Sequence, residues 1–129
     1  MSGRTLSQVV MFIASAALLA SCATTQQSSA HTRAGFDEVW KAALAAVIAI
    51  NYSVSSADAA AGFIVAEQTV VGGGGSVARL NIQVQRIGTL NEVKVSFVPP
   101  PGTIGGRGVA DNYIKALKAR VPDLEARGR

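Results

Sequence analysis

Three hydropathy regimes follow one another along the chain. From Val9 to Leu19, eleven residues carry one polar side chain, Ser15. A membrane-crossing helix needs about 20 apolar residues. This run is too short to span and fits the apolar segment of a secretory signal peptide, with the small residues a signal peptidase requires behind it. From Ala23 to Ala34 there is no large apolar residue. Such a stretch cannot offset the entropy cost of ordering and is expected to be a tether, about 17–21 Å from end to end. From Gly35 onward, apolar residues recur with regular periods.

Phe36 to Ile50 has the period of a helix. Phe36, Trp40, Ala43, Leu44 and Val47 make one apolar face, and the other face is mostly alanine. A helix apolar nearly all round is buried on more than one side or covered by a partner. Asp37 and Glu38 suit the positive end of its dipole, and Asn51 tolerates the left-handed geometry that ends helices. Tyr52 to Ser55 then alternates as a short strand, with a turn from Ser56 to Gly62. Phe63 to Val71 is a second strand, and Gly72 to Gly75 a flexible connection.

Val77 to Ile87 carries the plainest strand pattern. Ala78, Leu80, Ile82 and Val84 point one way, and Arg79, Asn81, Gln83 and Gln85 the other. That is an antiparallel strand with one face in the core and one in water. After a turn at Gly88–Asn91, Glu92 to Val98 repeats it, with Val93, Val95 and Phe97 inward and Glu92, Lys94 and Ser96 outward. Val109 to Arg120 is a second helix with the stripe Ala110, Tyr113, Ile114 and Leu117. Pro122 ends it, and Asp123 to Arg129 is expected to fray.

Short connections make the strands a meander, and one apolar face per strand puts both helices on the same side. The expected fold is an α+β two-layer sandwich: a four-stranded antiparallel meander flanked by an N-terminal and a C-terminal helix on one face. The expected organisation is a signal peptide (1–21), an anchor and tether (22–34), an α+β domain (35–122) and a C-terminal tail (123–129).

Charge narrows the choice of partner. Only Arg4 precedes Cys22, so the segment from Cys22 onward holds eleven Lys and Arg against eight Asp and Glu, a net charge of +3. No basic patch alternates with aromatics, and export removes the chain from nucleic acid. Anionic headgroups or an acidic protein surface remain compatible. His31, the only histidine, falls in the expected tether and is read as solvated. Gly72–Gly75 lacks the Gly-Lys-Ser/Thr of a phosphate loop, and no cofactor or metal set stands out.

Leu19-Ala20-Ser21-Cys22 holds the only cysteine and closes the apolar run. It resembles the lipobox of bacterial lipoproteins. That resemblance implies a diacylglycerol on the Cys22 thiol and cleavage before it. Two or more acyl chains anchor firmly where one does not. The same resemblance, with Ala23 rather than aspartate next, implies the outer membrane and a domain facing the periplasm. The layout from Phe36 to about Arg120 resembles the helix-grip-like domains of small outer-membrane lipoproteins. It does so through Phe36-Asp37-Glu38-Val39-Trp40-Lys41-Ala42-Ala43-Leu44, Asn51-Tyr52-Ser53-Val54 and Gly62-Phe63-Ile64-Val65-Ala66. Domains of this kind are mostly envelope components without known chemistry, so the resemblance assigns no residue beyond Cys22.

The expected function is a non-enzymatic interaction or structural module of the cell envelope. Its membrane lipid is bound through Cys22, and its partner is an envelope protein or cell wall met by Arg79, Gln83 and Lys94. A small-ligand carrier with a cleft between helix and sheet is the alternative. A hydrolase ranks below both, because the residues after the tether hold no histidine and no cysteine. A carboxylate pair such as Asp58 and Glu67 would have to meet across a turn.

Overall fold

The computed structural model describes residues 26–69, 77–100 and 108–126. The expected signal peptide (1–21), Cys22 and the Gly72–Gly75 connection lie outside the described residues. The elements run β1 (Gln26–Thr32), α1 (Phe36–Ala49), β2 (Ser53–Asp58), β3 (Phe63–Thr69), β4 (Val77–Ile87), β5 (Leu90–Val98), α2 (Val109–Lys118) and β6 (Glu125–Ala126). The fold is α+β, a sheet packed under two helices. Among the described residues the sheet has six strands rather than four, in the order β2-β3-β4-β5-β1-β6, and each described pairing is antiparallel.

The meander from β2 to β5 is as expected, and the two added strands come from segments whose composition is polar. Residues 26–32, expected as tether, form β1 and pair along β5 from Gln26 opposite Phe97 to Thr32 opposite Asn91. Backbone hydrogen bonds to a neighbouring strand need no large side chain, so a polar segment is ordered by the edge it completes. Ala30 is fully buried opposite Val93. The expected tail is also held. Val121 and Leu124 are buried, and Glu125 and Ala126 form β6 against His31 and Ala30. Proline ends the helix, but two apolar residues beside it still have a core to enter. The β2 strand runs on to Asp58, with an irregularity between Val54 and Ser56.

One parity of the strands builds the core. Ile64 and Ala66 of β3, Leu80, Ile82 and Val84 of β4, and Val93, Val95 and Phe97 of β5 share it with Tyr113, Leu117 and Val47 of the helices. Each fully buried aliphatic side chain contributes about 1.5–3 kcal/mol. The α2 stripe is the expected one: Ala110, Tyr113, Ile114 and Leu117 are buried. The α1 face is turned from the expected one. Val39, Ala42, Ala43, Ala46 and Val47 are buried, whereas Phe36, Trp40 and Leu44 flank the core. Small side chains let the helix approach closely, and the Tyr113 hydroxyl donates to the Ala43 carbonyl at 2.8 Å. The two aromatics stack on each other at the flank, centroids 5.8 Å apart.

Candidate functional site

The second parity of the strands forms a polar face. Strand register arranges it in rows. In one row Phe63 faces Gln83, Gln83 faces Lys94, and Lys94 faces Ser29. In the next, Asn81 faces Ser96, and Ser96 faces Gln27. Beyond these lie Glu67 opposite Arg79 on one side, and Gln85, Glu92 and His31 on the other. The two middle rows floor a groove of about 840 Å³ that continues round the β1 edge past Ala126 to Asp111 and Lys115 of α2. The groove can do this because β6 pairs only with Ala30 and His31. At that rim the Ser28 hydroxyl donates to Asp111 Oδ1 at 2.5 Å.

The residues expected as partner surface divide here. Gln83 and Lys94 stand side by side in the groove, while Arg79 lies outside it, four residues from Gln83 along β4 and about 13 Å away at strand rise. The charges are compensated within the face. Arg79 donates from Nη2 to Glu67 Oε2 at 2.9 Å and from Nε at 3.3 Å. Lys94 Nζ lies 3.6 Å from Glu92 Oε1. Glu92, expected to point into water, is on the polar face yet only 3% exposed. Phe63 is 41% exposed. Exposure of the first residue of β3 was missed from the sequence, although Phe63 is out of phase with Ile64 and Ala66, which is the signal that finds it.

The carboxylates weighed for catalysis are kept apart. Asp58 faces Phe63 and Glu67 faces Ser53, at opposite ends of the β2–β3 hairpin. The Asp58 carboxylate instead accepts the backbone N–H groups of Ala60 and Ala61 in the turn. His31 is not in a tether but half-buried in β1, its Nε2 3.5 Å from Glu125 Oε2. Among the described residues no group of three or more His, Cys, Asp or Glu is placed to hold a metal ion.

A separate cluster fastens the chain ends. The Thr32 hydroxyl donates to Asp123 Oδ1 at 2.6 Å, and the Arg33 N–H donates to Oδ2 at 3.2 Å. The Thr32 bond, with help from Arg33, holds the Asp123 carboxyl below its usual range. Burial pushes the Tyr113 phenol far up, and Tyr52 in the same direction. Both phenols therefore stay protonated at neutral pH, and that of Tyr113 is held by the Ala43 carbonyl.

No family model matches the chain, and no curated protein matches it. Solved structures share the outline at low similarity. The crystal structure of TTHA0849 from Thermus thermophilus is 12% identical, covering 76% of this chain and 97% of that one, at a TM-score of 0.43. The crystal structure of Ara h 8.0201 is 10% identical over 76% and 97% of the two chains, at a TM-score of 0.38. Likeness at this level carries no argument about what this chain does.

Proposed function

We propose that the chain is a lipid-anchored envelope lipoprotein that works as a non-enzymatic interaction module, with the polar sheet face as its interaction surface. The observation that carries the reading is the groove on that face, floored by Gln83, Lys94, Asn81 and Ser96. The sequence supports the anchor, because the apolar run Val9–Leu19 leads into Leu19-Ala20-Ser21-Cys22. Acylation of Cys22 would hold the domain at the membrane, facing the periplasm, with Ala23 favouring the outer membrane. β1 begins four residues after Cys22, so its start stands within about 14 Å of the lipid attachment. The groove, whose near wall is Gln27 and Ser29, would then open close to the membrane surface.

The test of the anchor is fatty-acid labelling in bacterial cells. The wild-type chain is expected to take up an alkyne-tagged fatty acid and to sediment with membranes. Cys22→Ser is expected to lose the label and to remain an unprocessed precursor. Equal labelling of the two chains overturns the anchor. The groove also favours a second reading, a small-ligand carrier, but with its cleft on the outer sheet face instead of between helix and sheet.

A further inference from the structure

We propose that the groove on the polar sheet face binds an uncharged oligosaccharide, with one sugar ring seated against Phe63. This rests on the reading of that face as the interaction surface and names the chemistry it takes. The floor is rich in groups that both donate and accept: the amides of Asn81, Gln83 and Gln27 and the hydroxyls of Ser29 and Ser96. Sugar hydroxyls and acetamido groups have the same dual character. A groove that accepted an apolar ligand would leave these amides unpaired, which is costly.

Phe63 supplies the complementary feature. It lies in the groove lining among amides and hydroxyls, and the residue is 41% exposed. The apolar face of a pyranose ring would cover this aromatic surface, while the ring's hydroxyls meet the amides and hydroxyls around it. The row from Phe63 to Ser29 crosses four strands, about 14 Å at normal strand spacing. That length suits a short oligosaccharide better than a single sugar.

Charge selects against an anionic occupant. Lys94 is matched by Glu92 at 3.6 Å, and Arg79 beyond the groove by Glu67 at 2.9 Å. At the rim, Lys115 follows Asp111 by one helical turn. A phosphorylated headgroup would have to compete with these carboxylates for each sheet cation. A neutral ligand leaves the pairs in place.

The experiment uses the full chain, extracted from whole cells into detergent micelles and labelled with ¹⁵N. It is titrated with N-acetylglucosamine tetrasaccharide and, separately, with short-chain phosphatidylglycerol. The tetrasaccharide is expected to give saturable shifts centred on Phe63, Asn81, Gln83 and Lys94. Phe63→Ala is expected to weaken binding about tenfold, and Gln83→Ala, which keeps the ring, about fivefold. Both side chains are exposed, so both variants are expected to keep the wild-type melting temperature. Absence of saturable shifts, shifts away from the groove, or undiminished binding by Phe63→Ala overturns the proposal. Groove shifts with phosphatidylglycerol alone overturn the sugar class but leave the face as an interaction surface. Failure of fatty-acid labelling at Cys22 would overturn the anchor and would not touch this titration.

Discussion

Among the described residues, Gly62 is the one whose identity the backbone restricts most tightly. It has φ +70°, and a Cβ there would lie 2.2 Å from the Val84 carbonyl oxygen. That approach is made because the Val84 N–H donates to the Gly62 carbonyl at 2.7 Å, extending the β3–β4 pairing by one bond. Gly62→Ala therefore meets two penalties together, left-handed geometry and a backbone clash. We expect about 3 kcal/mol of lost stability, read as an earlier midpoint in urea denaturation. A loss under about 0.5 kcal/mol, within the range of ordinary surface substitutions, would mean that the hairpin shifts freely. Gly88, also at positive φ, has nothing near its absent Cβ, so space is not what constrains it. The sequence marks both glycines as turn residues. It does not rank them, because the carbonyl that crowds Gly62 belongs to a strand more than twenty residues away.

At the scale of elements, β1 is the informative strand. Nothing in Gln26–Thr32 alternates strongly, and its inward side chains are Ser28, Ala30 and Thr32. It is a strand because β5 offers it a partner edge and because Asp123 fastens its end. The Thr32–Asp123–Arg33 cluster ties β1 to the turn after α2. The native carboxyl is held below the unfolded value near 3.8. A lowered native pKa means that the stabilisation is complete above the unfolded value and is lost as the pH falls through the native one. Asp123→Asn is expected to lower the melting temperature at pH 7 and to narrow the gap to wild type as the pH falls below about 4. A gap that stays constant down to pH 2 would show that the carboxylate's charge has no part in holding β1.

For the whole molecule, the decisive relation is between the anchor proposed at Cys22 and the groove. Four residues after Cys22 the chain is already in the sheet. Under the proposed acylation of Cys22, the domain would be mounted within about 14 Å of the lipid attachment, not at the end of a twelve-residue tether. Trp40 is the only tryptophan, and in reconstituted vesicles its energy transfer to a dansyl-labelled headgroup reports that spacing. Inserting about twenty Gly and Ser residues after Thr25 would add an r.m.s. span of roughly 25 Å. The insertion is expected to reduce the transfer while leaving the melting temperature unchanged. Unchanged transfer would overturn the close mounting.

What the sequence determines by itself is whatever depends on local periodicity. The alternation in β4 and, from Val93 onward, in β5, the stripe of α2 and the left-handed Asn51 (φ 65°) are fixed within a few residues, and each is found where the pattern puts it. The tertiary structure decides what depends on distant neighbours. It converts polar residues 26–32 into β1 and packs Val121 and Leu124 instead of letting the tail fray. It turns α1 onto its alanines, since close approach to the sheet and α2 favours small side chains over the aromatics that periodicity singles out. The same holds for the candidate site. Gln83 and Lys94 are legible as outward residues on separate strands, but only register sets them side by side, pairs Arg79 with Glu67 and brings Phe63 into the row. Cross-strand position follows from hydrogen-bond register, and register is a property of two segments together.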